Sequence, residues 1–237
     1  MDNTQHQVVK VSAEPYEFAF ESGRVALMCI DFQRDFAEAG GFGESLGNDV
    51  STLRGSIAPT RTVLDKFRET GWMVIHTREG HREDLSDLFP SKRDRGNPTL
   101  RIGDEGPMGR LLTRGSNGHD IIPELYPIKG EVVLDKPGKG AFYGTDLETI
   151  LRANGITHLI LTGVTTEVCV QSTAREANDR GFDCLVLSDC TGSYFPEFYE
   201  STLNMIKAQG GIVGWVSTST SLLTAIDAAI PAIGESK

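Results

Sequence analysis

The sequence predicts an α/β fold in a single three-layer αβα domain, built around a six-stranded parallel sheet of Rossmann-like order. Three observations carry this reading. Short apolar runs of strand length alternate with amphipathic stretches of helix length along most of the chain. The runs are apolar throughout rather than every second residue, as in strands buried on both faces. No linker, repeat or low-complexity segment divides the chain, and 237 residues suffice for one substantial core.

The elements follow in order. Residues 1–24 read as a polar, partly ordered N-terminal arm, 25–230 as the folded domain and 231–237 as a short C-terminal tail. Residues 24–31 form the first strand, an apolar run that ends on an acid, Asp31. The stretch 37–43 is too rich in glycine for regular structure. Residues 59–71 predict a helix with Val63, Leu64 and Phe67 on one face and Gly71 as its stop. Residues 72–77 are the second strand. A long charged insertion, 78–130, has only two apolar islands. A bare loop of that size is unusual, so it reads as an active-site cover or a subunit surface.

Residues 131–135 are the third strand, and a helix starts near Thr145 with Leu147, Ile150 and Leu151 inward. The next unit is the most informative. Residues 158–162 read as a strand that Gly163 ends, and Thr165 and Thr166 offer hydroxyls to cap a helix. From Val168 onward, Val170, Ala174 and Ala177 recur at helical spacing until Gly181. Residues 183–188 are the fifth strand, 196–209 a helix stopped by Gly210 and Gly211, 212–216 the sixth strand and 219–230 the last helix.

Charge narrows the function. A net charge of -10 argues against a nucleic-acid or anionic-membrane surface. No apolar run approaches the ~20 residues of a membrane span, and the N-terminus lacks a signal-peptide core. The four cysteines show neither metal nor redox spacing, so a reduced, cytoplasmic protein is expected.

In an open parallel sheet the ligand crevice lies beyond the carboxyl ends of the strands. Three such ends carry Asp31, Lys136 and Cys169. Singly these read as a loop cap, a solvated amine and a small core residue. Together they form a chemical set. Cys169 falls in a first helical turn, where the dipole and free N–H groups lower a thiol pKa. Asp31 can take the thiol proton and Lys136 can steady the thiolate. Backbone N–H groups between Thr165 and Cys169 would face the oxygen of a tetrahedral intermediate.

The segments CIDFQRDF, KPGKGAFYGTDLE and GVTTEVCV around those residues resemble the isochorismatase-like cysteine hydrolases. The segments HTREGHREDL (76–85), IGDEGPMGRLLTRG (102–115), DIIPELYPIKGE (120–131), DKPGKG (135–140), REANDRG (175–181) and AQGG (208–211) resemble its biuret hydrolases more narrowly. The likeness runs from about Ala26 to Ala229. It implies an amidase fold with an Asp31, Lys136, Cys169 triad, usually tetrameric, with no cofactor. It also implies a non-proline cis peptide between Val164 and Thr165 shaping the oxyanion site. Lys139 and Gln209 match positions that hold a ureide, and Phe36 could pack on the planar substrate. The implied reaction is hydrolysis of biuret to urea-1-carboxylate and ammonia, in nitrogen metabolism.

Tyr143 and the run Ser193, Tyr194, Phe195 are bulkier than expected for biuret and favour triuret or another N-carbamoyl amide. Ureidoacrylate and simpler amides are further alternatives. Isochorismatase proper, a vinyl-ether hydrolase, characteristically lacks the cysteine. A non-catalytic binding protein would not need the complete triad. A metal-binding branch of the family uses an Asp-x-His motif, and residues 37–47 contain neither residue. His76 and His81 alone are an incomplete site, so no catalytic metal is expected.

Overall fold

The computed structural model describes residues 7–95 and 100–230. Six strands form the central sheet: β1 (Val25–Ile30), β2 (Met73–Glu79), β3 (Val132–Lys136), β4 (His158–Val164), β5 (Asp183–Gly192) and β6 (Trp215–Ser217). All neighbours pair in parallel, in the order β6-β5-β4-β1-β2-β3. The order reverses between β1 and β4, and a crevice opens beyond the carboxyl ends at such a reversal. The main helices are α1 (Ile57–Thr70), α2 (Leu147–Ala153), α3 (Gln171–Asp179), α4 (Pro196–Gly211) and α5 (Ser219–Ala229).

β1 explains why the strands read as continuous apolar runs. Its side chains alternate between faces, and each face has its own core. Val25, Leu27 and Cys29 meet Val63, Leu64 and Phe67 of α1 and Leu222 and Ile226 of α5. Ala26, Met28 and Ile30 meet Leu147 and Leu151 of α2, Ala174 and Ala177 of α3, and Leu203 and Ile206 of α4. Each large side chain fully buried this way contributes about 1.5–3 kcal/mol.

Three departures from the sequence reading have physical causes. The segment read as a polar arm contains an antiparallel hairpin, Val8–Val11 with Phe18–Glu21. Strict alternation buries Val9, Val11, Phe18 and Phe20 while their neighbours face out. The Phe18 and Phe20 rings close on Trp215 and Trp72. β4 does not stop at Gly163 but runs through it. Gly163 has φ 132°, and a Cβ there would lie 2.2 Å from the Ile30 carbonyl oxygen. The glycine allows close strand approach rather than ending the strand. The 78–130 insertion is partly core: β2 extends into it as far as Glu79, and Ile121, Ile122 and Leu125 are buried with α1. The tail expected at 231–237 lies outside the described residues.

Two helices also differ in detail. A π-helical turn, Thr166–Val170, carries Cys169 ahead of α3. α4 breaks near its end, where Gln209 has φ 54°.

The two glycines Gly163 and Gly181 should respond differently to alanine. Gly181 is left-handed, φ 76°, but open around its α-carbon, so Gly181→Ala should cost about 1–2 kcal/mol. Gly163→Ala adds overpacking against backbone and should cost about 3 kcal/mol or more. Urea unfolding of the two variants checks the order.

Candidate active site

Four strand ends converge on one buried cluster. Asp31 follows β1 directly with φ 53°, an uncommon conformation for a non-glycine residue. It is held there by its N–H on the Thr77 carbonyl, 3.1 Å, and by the Gln33 N–H on its own carbonyl, 2.7 Å. β2 places Thr77 and Glu79 on the same side, two residues apart. Lys136 ends β3 in register with Glu79. The turn after β4 presents Cys169.

Asp31, Glu79, Lys136 and Cys169 are all buried. The Lys136 ammonium lies 2.7 Å from Asp31 Oδ2 and 3.8 Å from Glu79 Oε2. It donates to Cys169 Sγ at 3.6 Å and to the carbonyls of Gly138 and Lys139 at 2.9 Å each. Asp31 Oδ1 accepts from the Thr77 hydroxyl at 2.7 Å. The Cys169 thiol donates to Glu79 Oε2 at 3.5 Å. Glu79 Oε1 accepts from Lys139 at 2.7 Å and from Lys92 at 2.8 Å.

Glu79 is fixed from behind. The buried Gln33 side chain accepts from the Glu79 N–H at 2.7 Å and donates to the Glu79 carbonyl at 2.9 Å and the His119 carbonyl at 3.0 Å. One amide thus ties the segment after β1 to the end of β2 and to the insertion. The loop after Lys136 is anchored on α3, where Thr173 and Glu176 accept from the Ala141 and Phe142 N–H groups.

The electrostatics differ from those a helix terminus alone would set. Burial pushes the Cys169 thiol well above its ordinary value, and Asp31 and Glu79 add to this against Lys136 and Lys139. These surroundings favour the neutral thiol over the thiolate. Burial alone would raise Glu79, but Lys136, Lys139 and Lys92 hold it well below the usual carboxylate range. Burial would pull Lys136 down, and Asp31, Cys169 and Glu79 more than reverse it. Lys92 is shifted down, because burial outweighs Glu79 beside it.

Asp31, Glu79 and Cys169 offer donor atoms within 4.8 Å of one another. The set suits a metal poorly, since ammonium groups already occupy the carboxylate oxygens and would repel a cation. His76 and His81 do not converge: His76 faces Glu131 at 3.0 Å and His81 faces Asp87 at 3.2 Å.

The other sequence candidates divide. The Val164–Thr165 peptide is cis. The Val168 N–H is bonded to the Thr165 carbonyl, so it is not among the free donors of that turn. Phe36 is half-buried, and its carbonyl accepts from the Tyr194 hydroxyl at 2.7 Å. Tyr194 therefore belongs to the wall on that side, near Cys169 and Glu167. Gln209 lines a surface pocket with Arg175, Asn178 and Asp179. Asn178 lies nine positions beyond Cys169 along α3, about 13 Å at helical rise. The chain by itself does not bring Gln209 to the thiol.

Glu79, Lys92 and Gln33 were missed from sequence. Ending the second strand at Thr77 placed Glu79 in the insertion. Its even spacing from Thr77 was the available signal.

Residues 25–220 match the sequence profile of the isochorismatase domain. The chain belongs to the isochorismatase family. An isochorismatase family protein from Desulfovibrio vulgaris is 30% identical, with TM-score 0.71, over 86% of this chain and 98% of that one. N-carbamoylsarcosine amidase from Thermoplasma acidophilum is 26% identical, with TM-score 0.63, over 83% and 96%. A cysteine hydrolase from Pseudomonas syringae shares the fold at 23% identity and TM-score 0.73, over 95% and 100%. Within this family of hydrolases the present chain has a buried thiol, Cys169, with an ammonium, Lys136, and two carboxylates, Asp31 and Glu79, around it.

The thiol's environment sets a pH dependence. A raised thiol pKa leaves little thiolate at neutral pH, so alkylation of Cys169 in the substrate-free protein should climb with pH and still be climbing at pH 9. Iodoacetamide labelling followed by peptide mapping checks this. A plateau below pH 8 would show that the lysines dominate instead.

Proposed function

We propose that the chain is a cysteine-dependent amidohydrolase of a linear ureide, converting biuret to urea-1-carboxylate and ammonia. One observation carries the reading: a buried thiol beside a single accessible ammonium. The Lys139 side chain is 48% exposed, against 0% for Lys136 and 18% for Lys92. Lys136 serves protein atoms, and Lys139 is the cation a substrate carbonyl meets. A ureide presents carbonyl oxygens and NH₂ groups in one plane, so an ammonium on one edge orients it. The name of the Thermoplasma relative contains the N-carbamoyl group, the unit that ends a biuret.

In this reading Asp31 accepts the Cys169 proton and the sulfur attacks the terminal carbonyl carbon, forming a C–S bond. The oxyanion that develops faces the turn after the cis Val164–Thr165 peptide. Lys136 and Lys139 lower the energy of that added negative charge. Collapse breaks the C–N bond, and Asp31 returns the proton to the departing ammonia. Water then attacks the acyl-cysteine, the C–S bond breaks and the thiol is restored. Phe36 lies against the substrate plane.

Triuret is the second reading. Tyr143 supports it, since its half-exposed ring packs on Gly138 in the lysine loop and alters the pocket's edge. The reading also includes a homotetramer working in the cytoplasm. Exposed Phe195, Phe198, Met205 and Ile212 on and beside α4 support an interface. A role for Gln209 in binding requires a neighbouring copy to supply it. Among the described residues no helix is long and apolar enough to cross a membrane.

Cys169→Ala should fold normally and lower ammonia release from biuret by at least about a thousandfold. Residual activity above a tenth of wild type would remove the nucleophile assignment. Lys139→Ala should lower kcat/KM on the true ureide by about two to three orders of magnitude, about 2.7–4 kcal/mol. Its Cys169 labelling should stay within a few-fold of wild type. Near wild-type hydrolysis of both biuret and triuret by this variant would remove Lys139 from substrate recognition and with it the observation on which the ureide reading rests.

A further inference from the structure

Glu79 is a buried carboxylate that the amide mechanism above leaves without a task. Its position is fixed through both side chain and backbone. Two carboxylate oxygens meet Lys92, Lys139, Lys136 and the Cys169 thiol, and Gln33 grips its backbone at both N–H and carbonyl. A negative charge held this close to a nucleophilic sulfur opposes ionisation of that sulfur.

The other charged and titratable groups facing the pair come from every adjoining element. Asp31 comes from β1, Lys136 and Lys139 from β3 and its loop, and Lys92 and His81 from the insertion. Tyr194 faces the sulfur from the segment after β5, with its hydroxyl committed to the Phe36 carbonyl. Among these, Asp31 Oδ1 accepts from Thr77, while Oδ2 is ion-paired with Lys136 at 2.7 Å without accepting a hydrogen bond and so can take a proton. Glu79 Oε2 is the oxygen to which the thiol donates.

We propose that Glu79 holds the Cys169 thiol protonated while the site is empty, and that a substrate N–H takes over Oε2 on binding, freeing the thiol to pass its proton to Asp31. The second half rests on the ureide reading above; the first does not. The geometry suits the exchange. Oε2 is an acceptor and the Lys139 ammonium a donor, both on one carboxylate. A ureide edge carries the complementary pair, N–H beside C=O. The proton moves from sulfur to Asp31, so the total charge of the cluster is unchanged. The enzyme thereby keeps a reactive thiolate out of solution until substrate covers it.

The test is the pH dependence of Cys169 alkylation by iodoacetamide in wild type, Glu79→Gln and the double variant Glu79→Gln/Lys92→Met. The double variant removes one ammonium with the carboxylate, which preserves the charge of the cluster should the single variant fail to fold. Loss of the carboxylate should lower the labelling midpoint by about one pH unit or more and raise the rate at pH 7 about tenfold. The same variants should lose about a hundredfold in kcat/KM on biuret, because the substrate N–H loses its charged acceptor. A purely structural residue would slow both reactions. An unmoved or raised midpoint in a folded variant overturns the proposal. A lowered midpoint in the variants, with the wild type itself inert to every ureide, supports the control of the thiol and overturns the substrate-exchange half together with the ureide reading.

Discussion

The Lys136 ammonium, buried without solvent contact, is the interaction on which the site depends. An uncompensated charge in that position would cost several kcal/mol, so the surrounding chain is arranged to compensate it. Asp31, which it must reach, sits on β1, while Lys136 sits on β3, with β2 between them. Strands are spaced about 4.8 Å apart, so the reach is nearly 10 Å. Only a side chain as long as lysine spans that gap, and it passes over the end of β2. The residue at that end, Glu79, is therefore a second acidic neighbour.

The charges in this cluster explain how it can tolerate chemistry that creates an anion. Two carboxylates and three ammonium groups surround a neutral thiol. In the proposed reaction the proton passes to Asp31 as negative charge moves onto the substrate oxygen, so the net charge of the cluster stays constant and the three ammonium groups face the relocated charge. Fixed charges that fit the reacting state better than the resting one are the main source of electrostatic catalysis. Gln33 contributes without carrying charge, by fixing the backbone from which the Glu79 side chain extends.

Most of the fold was legible because β1 and its neighbours are apolar on both faces, and the helices between them have a clear inward stripe. Asp31, Lys136 and Cys169 were legible for the same reason: each interrupts or follows an apolar run at its carboxyl end. Glu79 was not, because a threonine, an arginine and a glutamate look like the start of a loop. They are strand because Thr77 and Glu79 face the buried acid and lysine rather than oil. Gly163 was misread because glycine after an apolar run has two meanings, a stop or a close approach. Ile30, far away in sequence, decides between them. Lys92 carries no local signal at all, since its partner is a carboxylate from another element. The upward pull of burial on the Cys169 thiol is likewise something no local pattern reports.

The place of β1 in the sheet also bears on how the chain is made. β1 lies between β2 and β4, and the hydrogen bond joining Thr157 to Arg24 at its edge closes a span of 133 residues. Contacts so distant in sequence form late and slowly. As the polypeptide leaves the ribosome, β1 emerges with one edge and half of each face lacking partners, and β4 follows only across that 133-residue span. During that interval β1 is an exposed apolar edge, the kind of surface that joins other chains. The partnerless β1 edge is therefore exposed to other chains for as long as β4 is delayed, and crowding of nascent chains raises the chance that it pairs wrongly.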